Sequence, residues 1–134
     1  MECYAFWDLI AEETYEHCSQ ILRERSWKEF RKKEKSKNIY VFGCNDACRE
    51  WIRQYRNSFC IAGILDNSPA RWNTEFEGLS VYNPNQLIPQ LSPQIDVVVI
   101  AMRLNADTVA AQLESLQFYN YYGMGVLVSE MEPY

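Results

Sequence analysis

Short apolar runs alternate with helical segments after residue 37, and this alternation constrains the fold more than any other feature. The runs Ile39–Phe42, Phe59–Leu65 and Ile95–Met102 are apolar over nearly their whole length. A strand that is apolar on both faces belongs in a parallel sheet with helices on both sides. The sequence therefore predicts an α/β fold, with an open parallel sheet of about five strands covered by helices on both faces.

The remaining segments complete the alternation. Two further strands are predicted, Leu79–Tyr82 and Gly125–Val128. Helical periodicity and capping residues predict helices over Asp46–Tyr55, near Gln86–Gln90, and after Asn105. Right-handed crossovers place the strands in the order 3-2-1-4-5, so that strands one and four lie side by side and parallel.

Residues 4–34 contain neither Pro nor Gly and carry an apolar stripe at helical spacing. The stripe contains Cys3, Trp7, Ile10, Thr14, Cys18 and Ile21, and Trp27 and Phe30 extend it. We expect an N-terminal helical arm over residues 1–36, followed by an α/β domain over residues 37–134. The stripe must cover either that domain or a second copy of the chain, and the sequence does not choose between them.

The net charge of −5 is unevenly distributed. Residues 22–37 hold eight Lys or Arg against three Glu, while the segments on either side are acidic. Because the rest of the chain would repel phosphates, the basic run is predicted to be a solvated helix end and not a nucleic-acid site. The longest apolar stretch is too short to span a bilayer, and the N-terminus lacks the basic start of a signal peptide.

Five cysteines, none in a CxxC pair, favour free thiols in a reducing compartment. Together with the absence of an export signal in the given sequence, this predicts a cytoplasmic protein. No set of Cys or His has the spacing of a metal site. Cys44 and Cys48 are expected to be small packing residues, and His17, the single histidine, is expected at the surface.

In the predicted sheet, ligands bind at the carboxyl ends of strands one and four. The segments placed there are Gly43–Asp46, Asp66–Ser68 and Met102–Asn105. Asp66 lies 23 residues after Gly43, near the spacing at which an acidic residue accepts a ribose hydroxyl. It equally suits a turn with the residues that follow it. Arg103 is placed to hold a phosphate bidentately, or is a surface arginine.

Several of these segments together resemble a known family pattern: Ile39–Gly43, Ile61–Trp72, Phe76–Tyr82 with Pro84 and Leu87, and Asp96–Ala101. They are similar to the Rossmann-like domains attached to bacterial polysaccharide-biosynthesis proteins, which include nucleotide-sugar dehydratases, sugar acetyltransferases and glycosyltransferases. The resemblance implies a nucleotide, nucleotide-sugar or NAD(P) ligand at the carboxyl edge. The residues that we expect to bind the ligand at this edge are Gly43, Cys44, Asn45, Asp66, Asn67 and Arg103.

The first loop departs from the glycine-rich phosphate fingerprint of such domains. It reads Gly43-Cys44-Asn45-Asp46-Ala47-Cys48, so only the first glycine remains. The second glycine normally lets the backbone approach a pyrophosphate, and the third allows close helix packing. Asn45 fills space near the phosphate, and Asp46 adds a negative charge there. Trp72 and Phe76 either stack on a base or sugar or belong to the core.

Three hypotheses follow. The first is a noncatalytic nucleotide or nucleotide-sugar binding domain associated with sugar biosynthesis. The second is a degenerate domain that acts in interaction or oligomerisation, through the N-terminal helix, with itself or with a larger biosynthetic protein. The third, an NAD-dependent sugar-nucleotide enzyme or a fragment of one, ranks last, because no residue set supplies a base, a nucleophile or a hydride site.

Overall fold

The computed structural model describes residues 2–102 and 104–123. The helices are α1 (Glu2–Glu24), α2 (Trp27–Glu34), α3 (Asp46–Tyr55), α4 (Pro84–Leu87) and α5 (Ala106–Ser115). The strands are β1 (Asn38–Phe42), β2 (Cys60–Leu65), β3 (Glu75–Phe76), β4 (Leu79–Tyr82), β5 (Asp96–Ile100) and β6 (Tyr121–Gly123). Short 3-10 turns over Pro69–Arg71 and Ile88–Gln90 follow β2 and α4.

The six strands form one sheet in the order β3-β4-β2-β1-β5-β6. β1 lies in the middle and pairs parallel to β2 on one side and to β5 on the other. Its register with β5 runs from Asn38 opposite Asp96 to Phe42 opposite Ile100. This confirms the predicted α/β fold, and the switch in strand order between β1 and β5 leaves a crevice at their carboxyl ends.

Two edges of the sheet differ from the sequence prediction. β6 begins at Tyr121, and the predicted strand Gly125–Val128 lies outside the described residues. At the other edge, the two-residue strand β3 pairs antiparallel with β4, which the sequence did not predict. The turn between them carries Glu77 and Gly78 at φ +53° and +80°, the positive angles of a two-residue hairpin loop.

Helices cover both faces of the sheet, as predicted. On one face, α2 and α3 bury aromatic side chains against β1, β2 and β5. On the other, α1, α4 and α5 pack against the same strands. All five residues of β5 are buried, which explains why this strand is apolar on both faces after its first residue. None of the described helices is long and apolar enough to cross a membrane.

The helical arm is not one continuous helix. Arg25 and Ser26 separate α1 from α2, and the Ser26 hydroxyl caps α2 by accepting a hydrogen bond from the Glu29 amide at 3.1 Å. The Arg25 guanidinium donates to the carbonyls of Tyr119 and Tyr121, both at 2.7 Å. The break is therefore held by the edge of the sheet, which local periodicity alone does not reveal.

The second half of α1 covers the α/β domain of the same chain. Cys18 and Leu22 are buried against α5 and β6. The Glu114 carboxylate of α5 accepts a hydrogen bond from the Cys18 thiol of α1 at 3.6 Å, and a second one from the Tyr121 hydroxyl of β6. The side chains in the first half of the stripe, those of Cys3, Trp7 and Ile10, lie outside the described part of the chain.

Candidate functional site

The loop after β1 begins with a glycine that the backbone requires. Gly43 has φ +115°, a conformation that L-residues with side chains rarely adopt. A Cβ atom there would lie 3.1 Å from Asn45 Nδ2 and 3.2 Å from Met102 Cγ. The loop is therefore close-packed against the end of β5 at the position that the sequence analysis placed in the crevice.

Asn45 bridges the two central strands. Its side-chain oxygen accepts from the Cys48 amide at 2.8 Å and caps α3, while its Nδ2 donates to the Ala101 carbonyl at 2.8 Å. Asn45 is thus the N-cap of α3. The residue that replaces the second fingerprint glycine fills the space between β1 and β5 with its own hydrogen bonds.

Asp66 has a structural role in the same loop. Its carboxylate accepts from the Cys44 amide at 3.0 Å and from the Ser68 amide at 2.8 Å. The first bond ties the end of β2 to the loop after β1, and the second forms the turn that the sequence analysis weighed against ribose binding. Both oxygens of Asp66 therefore already have protein donors.

Part of the N-terminus of α3 remains able to bind an anion through backbone amides. The Asp46 and Ala47 amides have no hydrogen-bond partner within the described residues, as is usual in the first turn of a helix. The Asp46 carboxylate points into solvent, where its side chain is 94% exposed, and pairs with Arg49 at 2.8 Å. The negative charge expected to repel a phosphate is thus exposed and paired.

An open hollow of about 610 Å³ lies beside this helix start. It is lined by Asn45, Asp46, Ala47, Glu50, Ala101, Met102, Leu104 and Asn105. The walls combine the first turn of α3 with the segment that follows β5. Two of the three predicted crevice segments, Gly43–Asp46 and Met102–Asn105, therefore contribute to it, whereas Asp66–Ser68 does not.

The other predicted ligand residues have different surroundings. Asn67 and Gln112 exchange side-chain hydrogen bonds at 2.8 and 2.9 Å, so Asn67 connects the loop after β2 to α5. Arg103 lies outside the described residues. Asn105 occupies the N-cap position of α5 with φ +63°. Contrary to the prediction, its side chain makes no capping hydrogen bond.

The thiols near the loop are poorly suited to nucleophilic chemistry. Burial and then the charge of Asp66 raise the pKa of Cys44 to about 11, and burial raises the pKa of Cys48 to about 12. Both are protonated near neutral pH. They serve as small packing residues beside the first turn of α3, in agreement with the interpretation from the sequence.

The single histidine and two lysines of the basic run lie beside acidic side chains. His17 lies at the junction of α1 and α5, with its side chain 59% exposed and its Nε2 3.5 Å from Glu114. No group of three or more His, Cys, Asp or Glu in the described ranges is arranged to hold a metal ion. In the basic run, Lys33 pairs with Glu29 and Lys37 with the buried Glu34.

Sequence reasoning missed three residues near the site. Glu50 lies one helical turn after Asp46 and adds an acidic group to the hollow. Arg71 is close enough to oppose the rise in the pKa of Cys44. Gln112 holds Asn67 across the loops. The spacing of Glu50 from Asp46 could have revealed the first, but the other two are brought in by tertiary folding.

No family model matches this sequence, and no curated protein matches it. Among solved structures, the Rex-family repressor RSP is similar with a TM-score of 0.51 and 17% identity, over 69% of this chain and 46% of the repressor. UDP-D-quinovosamine 4-dehydrogenase from Vibrio fischeri gives a TM-score of 0.49 and 18% identity, over 62% of this chain and 74% of that one.

The chain has a Rossmann-like fold. The strand order, the parallel register of β1 with β5 and the likeness to RSP agree on this point. The match takes in less than half of the repressor's length. At this level of identity the likeness establishes the fold alone, and ligand and role must be argued from the chain's own residues.

Proposed function

We propose that this chain is a noncatalytic domain that binds a nucleotide or nucleotide-sugar at its carboxyl edge. The observation that carries the proposal is the open hollow at the switch point between β1 and β5, beside the Asp46 and Ala47 amides, which have no partner among the described residues. Ligands of open α/β sheets bind at such a position, and a helix start favours a phosphate. The resemblance of the sequence to domains of polysaccharide-biosynthesis proteins supports an association with sugar biosynthesis.

The proposed contacts differ from those of a glycine-rich dinucleotide loop. The Asp46 and Ala47 amides hold one phosphate, while the Cys44 amide is already bound by Asp66. The side chains of Asn45 and Asn105 provide polar groups for hydroxyls, and Met102 provides an apolar wall. Arg103, which follows Met102 in the sequence, is proposed to add the positive charge that the altered loop lacks.

Calorimetry with UMP, UDP-glucose, UDP-N-acetylglucosamine, NAD+ and NADH tests the proposal. The nicotinamide dinucleotides are included because RSP has been crystallised with β-NADH. We expect saturable binding of at least one nucleotide, and weaker binding in Arg103→Ala. No heat and no thermal stabilisation with any of the five compounds would overturn the proposal.

Two substitutions at one position separate the amide from the carboxylate. Asp46→Pro removes the first amide of α3, and proline is well tolerated there because Asn45 is extended at φ −146° and ψ 179°. Asp46→Ala removes the carboxylate and keeps the amide. We expect Asp46→Pro to weaken nucleotide binding by about tenfold. Asp46→Ala is expected to retain it, and equal affinities in both variants would contradict the phosphate position.

A second candidate is a degenerate domain that mediates assembly. The observation in its favour is that Asn45 and Asp66 occupy two loop amides that a ligand would otherwise use. The apolar stripe over the first half of α1 would then contact a second copy. Light scattering of the full chain over a range of concentrations tests this alternative. A monomer at every concentration, unchanged in Trp7→Glu, would exclude it.

A further inference from the structure

A second cleft lies at the edge of the sheet, between the turn after β2 and α4. Its volume is about 260 Å³, and the side chains that matter here are Trp72, Asn73, Tyr82, Asn83, Gln86 and Gln90. It shares no lining residue with the hollow between β1 and β5. The cleft is therefore a separate candidate site, and its occupancy does not depend on the proposed nucleotide.

The lining of this cleft has a distinctive chemistry. It contains two aromatic rings, four side-chain amides, one leucine and no charged residue. Amides both donate and accept hydrogen bonds, which matches the dual character of hydroxyl groups. Aromatic rings offer flat apolar surface for the C–H face of a ring. A phosphate or carboxylate would find no cation there, so the lining selects for a neutral, hydroxyl-rich molecule.

The aromatic walls are held in place by the fold. The Trp72 indole N–H donates to the Asp66 carbonyl at 2.7 Å, which fixes the ring at the end of β2. The Tyr82 ring packs over Gly63, because a Cβ atom added to Gly63 would lie only 2.6 Å from that ring. Tyr82 is nonetheless 38% exposed to solvent. Both rings are thus positioned before any ligand arrives.

The amides divide into two groups. Asn83 caps α4 by accepting from the Asn85 amide at 3.1 Å, and Gln90 donates to the Gln86 carbonyl at 3.0 Å. The side-chain amides of Asn73 and Gln86 have no hydrogen-bond partner within residues 2–102 and 104–123. The backbone of Asn73 is fixed, because its amide donates to the Val81 carbonyl at 3.0 Å. These two amides remain available to a ligand.

We propose that this cleft binds one neutral sugar ring. Trp72 and Tyr82 contact the C–H surface of the ring, and Asn73 and Gln86 bind its hydroxyls. The volume falls slightly below the usual range of small-molecule pockets, about 300–1,000 Å³, which suits a single ring and not a nucleotide. The inference goes beyond the proposed nucleotide site and stands if that site proves empty.

An NMR titration of the ¹⁵N-labelled full chain tests the proposal with glucose, galactose and N-acetylglucosamine as separate probes. We expect saturable shifts of the Trp72 indole N–H and of the Asn73 and Gln86 side-chain amides. Sorbitol, a linear polyol, is expected to give no saturable shift, and glucose 6-phosphate is expected to bind no more tightly than glucose. Equal shifts with sorbitol, or shifts confined to the hollow between β1 and β5, would overturn it.

Three variants locate the contact. Gln86→Ala is expected to weaken binding about tenfold, as loss of a ligand hydrogen bond does. Gln54→Ala, on the exposed side of α3, is the matched control and should bind as the wild type does. Trp72→Leu is expected to abolish binding, and if it fails to fold, Gln86→Ala decides the outcome. Wild-type affinity in Gln86→Ala, or no response to any of the three sugars, rejects the proposal.

Discussion

At the scale of single residues, the loop after β1 satisfies much of its own hydrogen-bonding capacity. Asn45 binds the Cys48 amide and the Ala101 carbonyl, and Asp66 binds the Cys44 amide. A glycine-rich loop leaves such groups to a bound phosphate. The Asn45 side chain, which stands at the second glycine of the fingerprint, therefore stabilises the loop without a ligand, and the Asp46 and Ala47 amides have no partner within the described residues.

Gly43 and Gly78 provide a matched test of this close packing. Both have positive φ, but a Cβ at Gly78 would meet nothing within 4 Å, whereas one at Gly43 would press on Asn45 and Met102. We expect Gly78→Ala to lower the free energy of unfolding by about 1 kcal/mol and Gly43→Ala by about 2–3 kcal/mol. Urea denaturation measures both. Equal losses would show that the loop has room for a side chain.

The thiol of Cys44 reports on the charge of Asp66. With a pKa of about 11, only about one thiol in a thousand is ionised at pH 8. Asp66→Asn removes a negative charge that raises this pKa, so the thiolate fraction should rise and modification by a disulfide reagent should accelerate roughly threefold at pH 8. The rate is measured in a variant that carries Cys3→Ser, Cys18→Ser and Cys60→Ser. A second variant, which also carries Cys44→Ser, gives the rate that is not due to Cys44.

The pH profile of that reaction distinguishes charge from exposure. If Asp66→Asn lowers the pKa of Cys44, the midpoint of the rate profile moves to lower pH and the limiting rate at high pH is unchanged. A limiting rate that rises with the midpoint fixed would mean that the loop has opened. In that case the role assigned to the Asp66 charge would be wrong.

At the scale of elements, the sequence revealed the strands with strong periodic signals. β1, β2, β4 and β5 are apolar runs bounded by turn residues, and α3 lies at its predicted bounds because its buried face repeats at helical spacing. The edge strands β3 and β6 were not predicted, and the predicted strand Gly125–Val128 lies outside the described residues. Two residues of β3 carry no periodicity, and β6 owes its place to pairing with β5. The break after α1 depends on Arg25 and the edge of the sheet.

The contact between α1 and α5 is also invisible in the sequence, because it joins residues almost a hundred positions apart. Burial raises the pKa values of Cys18 and Tyr121, so both stay protonated and donate to Glu114. Tyr121→Phe removes the closer donor from a carboxylate that is only 14% exposed. We expect a loss of about 1–2 kcal/mol in unfolding free energy and faster hydrogen exchange in α1.

His17→Ala is the control for this junction. Its imidazole contacts the same carboxylate, but its side chain is 59% exposed. The substitution should therefore change stability by less than about 0.5 kcal/mol. Exchange in α1 that responds equally to both substitutions would contradict the assignment of Tyr121 as the donor that holds Glu114 at this junction.

At the scale of the whole molecule, the sequence predicted the sheet and the location of the crevice, but not how the crevice is filled. The order of strands follows from apolar patterning and crossover handedness, which are properties of the chain as a whole. Which amides are already bound depends on side chains that meet only after folding, such as Asp66 with Cys44. The second cleft likewise combines residues from β4, α4 and two turns.

We expect the helical segment before β1 to fold as one unit with the sheet, and Phe30 tests this directly. Its side chain is fully buried, with ring centroids at 5.4 Å from Trp27, 5.6 Å from Phe59 and 5.1 Å from Tyr122. Trp27 lies in α2, Phe59 directly precedes β2, and Tyr122 lies in the edge strand β6. Phe30→Ala should therefore cost about 3–5 kcal/mol, close to the total stability of many small domains.

Tyr15→Ala, at an α1 position that is 39% exposed, is the matched removal of an aromatic side chain. Thermal and urea denaturation of both variants, followed by near-ultraviolet circular dichroism of the aromatic cluster, measure the difference. If α2 only flanked a self-sufficient sheet, Phe30→Ala would cost no more than Tyr15→Ala and the strands would unfold at the wild-type midpoint. A single unfolding transition that is shifted more in Phe30→Ala than in Tyr15→Ala means that the sheet and α2 fold together. A contact or ligand that stabilises α2 would then also stabilise the crevice.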